Sequence, residues 1–425
     1  MSIINSYNKK QLIVIFTIVL VLSFARSSVQ LYSIIGLSYV LTLLLLVLNS
    51  NSPYIRVPRL RLYDHIPAAF LFIWGYGVLI GLYNGNNIQY IFMNFAGFLV
   101  YLFYYFLLLV KISKELIYKV IIYIGLFILT ENIIVAILLF AFDVNIYYSH
   151  NQIVNIFFGN FLGGSSTGQI RIYSPSQLVA FPIFTLSLAY LLKKKLKINE
   201  NIIFLKKYTL ISLILSAFVL IFLSASKGYM LAAFMVFLSI GFLNSAKERF
   251  YFGKLVLLFL ILILILNISG YINIATSIFS EVDIANMERY RQLHLLLEDI
   301  NLFGNGLGAT LPGSVRDIER PYGFELSYVN IVHKFGLISF FLFYYYLYTV
   351  VKIYKEFKRN DIQKKYIYMS LGLMCYLFPA IGNPILYSPQ SVIMHVIALF
   401  LLRPECKIEK KKLAFAWQPI MVKDI

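Results

Sequence analysis

Apolar runs of membrane-crossing length follow one another from residue 11 to residue 402, and this bounds every fold open to the chain. Roughly twenty apolar residues are needed to carry a helix across about 30 Å of hydrocarbon. About twelve runs approach that length: 11–25, 30–48, 65–83, 88–110, 119–141, 174–192, 208–223, 229–245, 255–272, 326–350, 366–382 and 389–402. Lipid offers no hydrogen bonds to exposed backbone, so a chain of this pattern crosses it as helices. The expected fold class is therefore all-α: a polytopic membrane helix bundle of about twelve transmembrane helices, forming one integral membrane domain over 1–425. Composition agrees, with 60% hydrophobic and 13% charged residues, where soluble domains carry about a quarter charged. The first run follows Lys9 and Lys10 in the manner of a signal peptide. No small-residue cleavage site follows it, so it reads as a retained helix.

The net charge of +18 invites a nucleic-acid reading, but its placement excludes one. All but eight of the 37 Lys and Arg lie in seven short blocks, at Lys9–Lys10, Arg56–Arg61, Lys111–Lys119, Lys193–Lys207, Lys247–Lys254, Lys352–Lys365 and Arg403–Lys423. Successive blocks stand two spans apart, the pattern of cytoplasmic loops. An even number of spans then leaves both termini cytoplasmic, with 403–425 as a basic tail. Cys375 falls in a span and Cys406 in that tail, so no disulfide or metal framework is expected.

The outer loops are unequal. Most are a few residues long, but 142–173 and 273–325 are extended, and long loops in compact domains tend to be functional. Residues 286–341 concentrate charge, glycine and a Pro-Tyr-Gly turn within this apolar chain. Irregular polar backbone must leave the bilayer or line a wet cavity, so chemistry is expected there. Tyr290, Leu293, Leu297 and Ile300 recur at helical spacing, predicting an amphipathic helix over 285–300 lying along the outer membrane surface. It stops at Asn-Leu-Phe-Gly-Asn-Gly-Leu-Gly, where the glycines permit positive φ or close backbone approach.

The eight remaining cations are Arg26, Arg171, Lys227, Arg289, Arg291, Arg316, Arg320 and Lys334. Together they form a cationic funnel for an anionic substrate, guanidinium forks suiting phosphate oxygens, or they pair with Glu288, Glu298, Asp299 and neighbouring acids. Lys227 lies between two closely spaced apolar runs, where a retained charge is often functional. Glu325 precedes the tenth span and is either a general base or an acid favoured by the helix macrodipole. His333, about two turns further on, relays a proton or packs as a bundle histidine. Glu131, within the fifth span, is read as joining helices. No metal constellation is visible.

The order of these elements resembles a family. Ser-Ala-Ser-Lys-Gly at 224–228 opens a span, Arg289-x-x-Gln292 lies on a loop helix, and Asp299-Ile-Asn-Leu-Phe-Gly-Asn-Gly-Leu-Gly follows. Glu325 then precedes a helix running into Lys334-Phe-Gly-Leu-Ile. Over roughly 165–345 this is similar to the Wzy-type O-antigen and capsular polysaccharide polymerases, of the superfamily shared with the O-antigen ligases. The resemblance implies metal-independent glycosyl transfer without a cofactor, at the outer face of the bacterial plasma membrane. A growing glycan on undecaprenyl diphosphate would pass to a lipid-linked repeat unit. Arg171, Lys227, Arg289, Arg291, Arg316 and Arg320 would bind diphosphate, with Glu325 and His333 catalytic. A chain-length regulator and a flippase would be partners, beside membrane lipid and no nucleic acid. Two departures stand out. Lys227 replaces the usual arginine, and Gly-Phe-Glu-Leu-Ser-Tyr stands where ligases place a histidine motif. The ligase is thus one alternative, and a lipid-linked oligosaccharide flippase or other transporter is another.

Overall fold

The computed structural model describes residues 9–23, 28–48, 60, 62–141, 175–192, 203–224, 226–243, 284–311, 313, 321–359 and 362–404. The regular elements among these residues are all helices, with no strand among them. The helices are α1 Lys9–Ser23, α2 Ser28–Leu48, α3 Ile66–Tyr83, α4 Ile88–Met93, α5 Phe103–Leu109, α6 Lys114–Ala141 and α7 Ala180–Leu192. They continue with α8 Ile203–Ala217, α9 Lys227–Leu243, α10 Ile284–Glu298, α11 Ser327–Phe335, α12 Ser339–Arg359, α13 Lys364–Leu373 and α14 Pro389–Leu401.

Among the described residues, three helical stretches are long and apolar enough to cross a membrane: Tyr63–Tyr83, Lys114–Ile137 and Ser327–Arg359. Seven further apolar helices, such as Ser176–Leu191 and Pro389–Leu401, are shorter. The run at 255–272 lies outside the described residues. The shortening has local causes. The run 88–110 is interrupted at Phe95, whose φ of 52° breaks α4 from the tight turn Ala96–Leu102 that leads into α5. The run 366–382 ends α13 at Leu373 and then tightens through 3-10 turns at Met374–Leu377 and Pro379–Ile381. Within Ser327–Arg359, Gly336 at φ 55° separates α11 from α12.

The core sits around α14, every residue of which is buried. A helix apolar on all sides has no solvent face and belongs inside a bundle. Its one imidazole, His395, is accommodated by Tyr101 Oη at 2.7 Å from Nδ1 and Thr349 Oγ1 at 3.2 Å from Nε2. Phe70, Tyr101 and Tyr346 pack their rings against it.

At the start of α3 a polar clamp ties three distant segments. Asp64 is fully buried. Arg403 meets it as a fork, Nε to Oδ1 at 2.9 Å and Nη2 to Oδ2 at 2.9 Å. The Tyr104 hydroxyl donates to Oδ1 at 2.5 Å, and the Tyr105 hydroxyl donates to the Asp64 carbonyl at 2.9 Å. Lys114 donates in turn to the Arg403 carbonyl. The bundle is thus fastened at the end of α3 remote from Asn84–Asn86.

Candidate active site

Three segments converge on the turn after α13. Pro379 starts it, and the Asn383 side-chain amide closes it by donating to the Pro379 carbonyl at 2.9 Å. The Ser327 hydroxyl donates to the Asn383 carbonyl at 2.7 Å, and the Tyr328 hydroxyl to the Leu377 carbonyl at 2.6 Å. Those bonds seat the first turn of α11 on the 379–383 turn. The first turn of α9 is seated there by Gly228, where an added Cβ would stand 2.7 Å from Pro379 Cα. α10 completes the set, since a Cβ on Gly382 would lie 3.7 Å from Arg289 Nε.

Arg289 and Glu325 form an ion pair here, Nε to Oε2 at 3.0 Å, with side chains 28% and 15% exposed. The Arg289-x-x-Gln292 spacing puts both side chains on one face of α10, since residues three apart on a helix are neighbours. Gln292 is buried, and its Oε1 accepts the Glu325 backbone N–H at 3.1 Å. A small apolar cluster of Leu296, Leu311 and Phe324 backs the pair. Tyr322 packs its ring on Tyr90 at 5.2 Å, anchoring the Pro-Tyr-Gly turn to α4. The result is a carboxylate with fixed direction and a guanidinium that carries five N–H donors in all. The turn that Arg289 approaches at Gly382 is met at Pro379 by Gly228 in the first turn of α9, the end of a helix that favours anions.

His333 is completely buried and turns to Asp299, Nε2 to Oδ2 at 2.8 Å. The Phe324 ring meets its imidazole edge-on at 5.9 Å. Nδ1 has no partner among the described residues. Lys334, counted from the sequence among outward cations, is instead fully buried. It donates to the Ala309 carbonyl and lies 4.9 Å from the Phe324 ring centre. Hydropathy cannot foresee this, because the ammonium is satisfied by a loop 25 residues upstream.

That loop is held by its glycines. Gly304, Gly306 and Gly308 have φ of 80°, 74° and 77°. A Cβ on Gly306 would stand 2.2 Å from the Gly81 nitrogen of α3. Gly85 has a similar φ of 71° with nothing within 4 Å. Gly85→Ala and Gly306→Ala therefore share a left-handed backbone cost of roughly 1–2 kcal/mol. Only the second adds backbone overlap, about 1–3 kcal/mol more. Thermal unfolding in detergent is expected to rank Gly306→Ala well below Gly85→Ala; equal midpoints would refute the close-approach reading.

The other candidates fall elsewhere. Arg291 is exposed and donates to the Gly313 carbonyl at 2.5 Å, with Glu288 at 4.0 Å. Lys227 opens α9. Arg26, Arg171, Arg316 and Arg320 lie outside the described residues. Glu131 is buried in α6, and beside it Asn132 accepts from Gln177 at 2.5 Å, joining α6 to the turn before α7. No cluster of three metal-ligating side chains occurs among the described residues.

Reasoning from sequence missed the 379–383 turn, the Gln292 contact with the Glu325 backbone and the Asp299 partner of His333. The Pro-Ala-Ile-Gly-Asn string was the available signal for the turn. No protein-family model matches the chain, and no curated protein does.

Proposed function

We propose that the chain is a bacterial polysaccharide polymerase. It would be embedded in the plasma membrane by about twelve spans with both termini cytoplasmic. It would transfer a growing undecaprenyl-diphosphate-linked glycan onto a lipid-linked repeat unit at the outer face. The carrying observation is the Arg289–Glu325 pair, seated at 3.0 Å on the same turn as the start of α9. A base and a cation side by side are what glycosyl transfer from a diphosphate needs. As the acceptor hydroxyl oxygen bonds to the donor's anomeric carbon, its proton passes to the Glu325 carboxylate. The bond from that carbon to the diphosphate oxygen breaks, and the electron pair leaves with the diphosphate. Arg289, the N-terminal end of α9 and Lys227 would hold the developing charge. His333, fixed by Asp299, would stand behind this pair as a proton relay. Arg171, Arg316 and Arg320 would join in binding diphosphate, as the sequence resemblance implies.

Ordered sequence resemblance supports the same assignment, from Ser-Ala-Ser-Lys-Gly to Glu325. Deleting the gene in a polymer-making host tests it. Single repeat units on the acceptor are expected, whereas unattached lipid-linked polymer would indicate a ligase and units trapped inside a flippase. Within the site, Arg289→Ala is expected to lower polymer yield at least tenfold. Arg291→Ala, which removes an exposed pair of the kind that contributes little, is expected to leave yield near the parent. Equal losses on gels of surface glycan would contradict the distinction between them.

A further inference from the structure

Residues 301–309 connect α10 to the rest of the loop without helical structure, yet they reach well below the outer end of the helices beside them. The Leu307 N–H donates to the Gly77 carbonyl at 2.9 Å, and the Tyr76 hydroxyl donates to the Phe303 carbonyl at 2.8 Å. Gly77 lies six residues before the end of α3, a depth of about 9 Å at 1.5 Å per residue. On the other side, the Leu337 N–H donates to the Leu302 carbonyl at 3.0 Å. Leu337 lies just past the Gly336 break that ends α11, a nine-residue helix about 13 Å long at the same rise.

From Gly304 to Gly308 the backbone is bonded to protein to a degree that a water-facing loop does not require. The five successive N–H groups from Gly304 to Gly308 bond to the Asn301, His333, Lys334 and Gly77 carbonyls and to Asn94 Oδ1, at 2.8 to 3.3 Å. Asn86 donates to the Asn305 and Leu307 carbonyls at 2.9 Å, and Lys334 to the Ala309 carbonyl. The polar side chains bond among themselves: Asn301 to Asn305, Asn305 to Asp299, and Asp299 to His333. By contrast, Leu302 and Phe303 point outward, 59% and 67% exposed. They adjoin Leu337 and the turn of Tyr76, on helices that also expose Phe72, Leu79, Phe340 and Phe341. Leu302 and Phe303 thus continue an apolar surface that both neighbouring spans already present.

Irregular backbone at membrane depth is tolerated where protein satisfies its polar groups. We propose that Asn301–Ala309 is a re-entrant segment set in the outer leaflet, with Leu302 and Phe303 packed against lipid acyl chains. The inference rests on the membrane-spanning reading of Tyr63–Tyr83 and Ser327–Arg359, and not on glycosyl transfer. Its consequence is that α10, and with it Arg289, is held at the level of the lipid headgroups by a buried anchor.

The test is a nitroxide on Phe303→Cys, with Leu302→Cys as a second site, in the full chain carrying Cys375→Ala and Cys406→Ser. The protein is reconstituted in vesicles of phosphatidylethanolamine and phosphatidylglycerol. Collision with oxygen, which concentrates in lipid, is expected to exceed collision with a water-soluble nickel chelate severalfold at both positions. A label on exposed His294 is expected to give the reverse ratio. A label on Phe340→Cys separates the two failures. If Phe340 reports lipid while 302 and 303 report water, the re-entrant segment is refuted and the span stands. If Phe340 also reports water, the spanning reading fails. Spin–spin broadening between labels on different molecules would also overturn it, by showing a second copy on this face.

Discussion

Replacing Glu325 with Gln is expected to abolish polymer while leaving the protein in the membrane at parental amount. Gln keeps the shape and hydrogen-bonding reach of the carboxylate but takes no proton and carries no charge. General base catalysis contributes typically 10²–10⁴-fold, so the loss is expected in that range. The backbone contact from Glu325 N–H to Gln292 Oε1 survives the substitution, which isolates the carboxylate from the fold. Two readouts separate base from scaffold. Glu325→Asp is expected to recover part of the activity, because it restores a carboxylate one methylene short. Arg289→Lys, keeping charge without the planar fork, is expected to weaken binding of the lipid-linked donor more than turnover at saturating donor. Normal chain lengths in Glu325→Gln would remove this residue from catalysis and leave it as an acid before a helix.

The second large effect concerns stability. Asp64→Ala removes the carboxylate from a buried fork with Arg403 and from the Tyr104 hydroxyl. Breaking one partner of a buried pair costs about 3–5 kcal/mol, because the remaining charge loses its counter-ion in a dry setting. A clear fall in the midpoint of thermal unfolding in detergent is expected. The double variant Asp64→Ala with Arg403→Leu is expected to recover part of it, since apolar replacement of both partners is often neutral. A single variant as stable as the parent would show that the clamp holds nothing together.

Much of the helical content and the convergence of motifs was legible in the sequence. Apolar periodicity placed a helix at 285–300, and the structure has Ile284–Glu298. Glu325 and Arg289, read as parts of one site, meet as an ion pair. What escaped were events at single residues inside apolar runs. Phe95 adopts a positive φ without being glycine, and nothing in hydropathy marks it. The break after Leu373 depends on Pro379 and on Asn383 folding back to it, so a run of apolar letters was read past the turn that organises the site. Long-range pairing was equally hidden. His333 finds Asp299 34 residues away, and Arg403 finds Asp64 339 residues away. Charge placement pointed to membrane sidedness, yet Lys334 shows that one such charge can be buried against a backbone carbonyl.

The most direct test uses the purified full-length protein in vesicles with undecaprenyl-diphosphate-linked repeat units as the only substrate. Glycan products separated on a gel are expected to form a ladder longer than one unit, with undecaprenyl diphosphate released in step and both signals lost in Glu325→Gln. Substrate that crosses the vesicle membrane without lengthening, or a ladder that persists in Glu325→Gln, would contradict a polymerase acting through the Arg289–Glu325 pair.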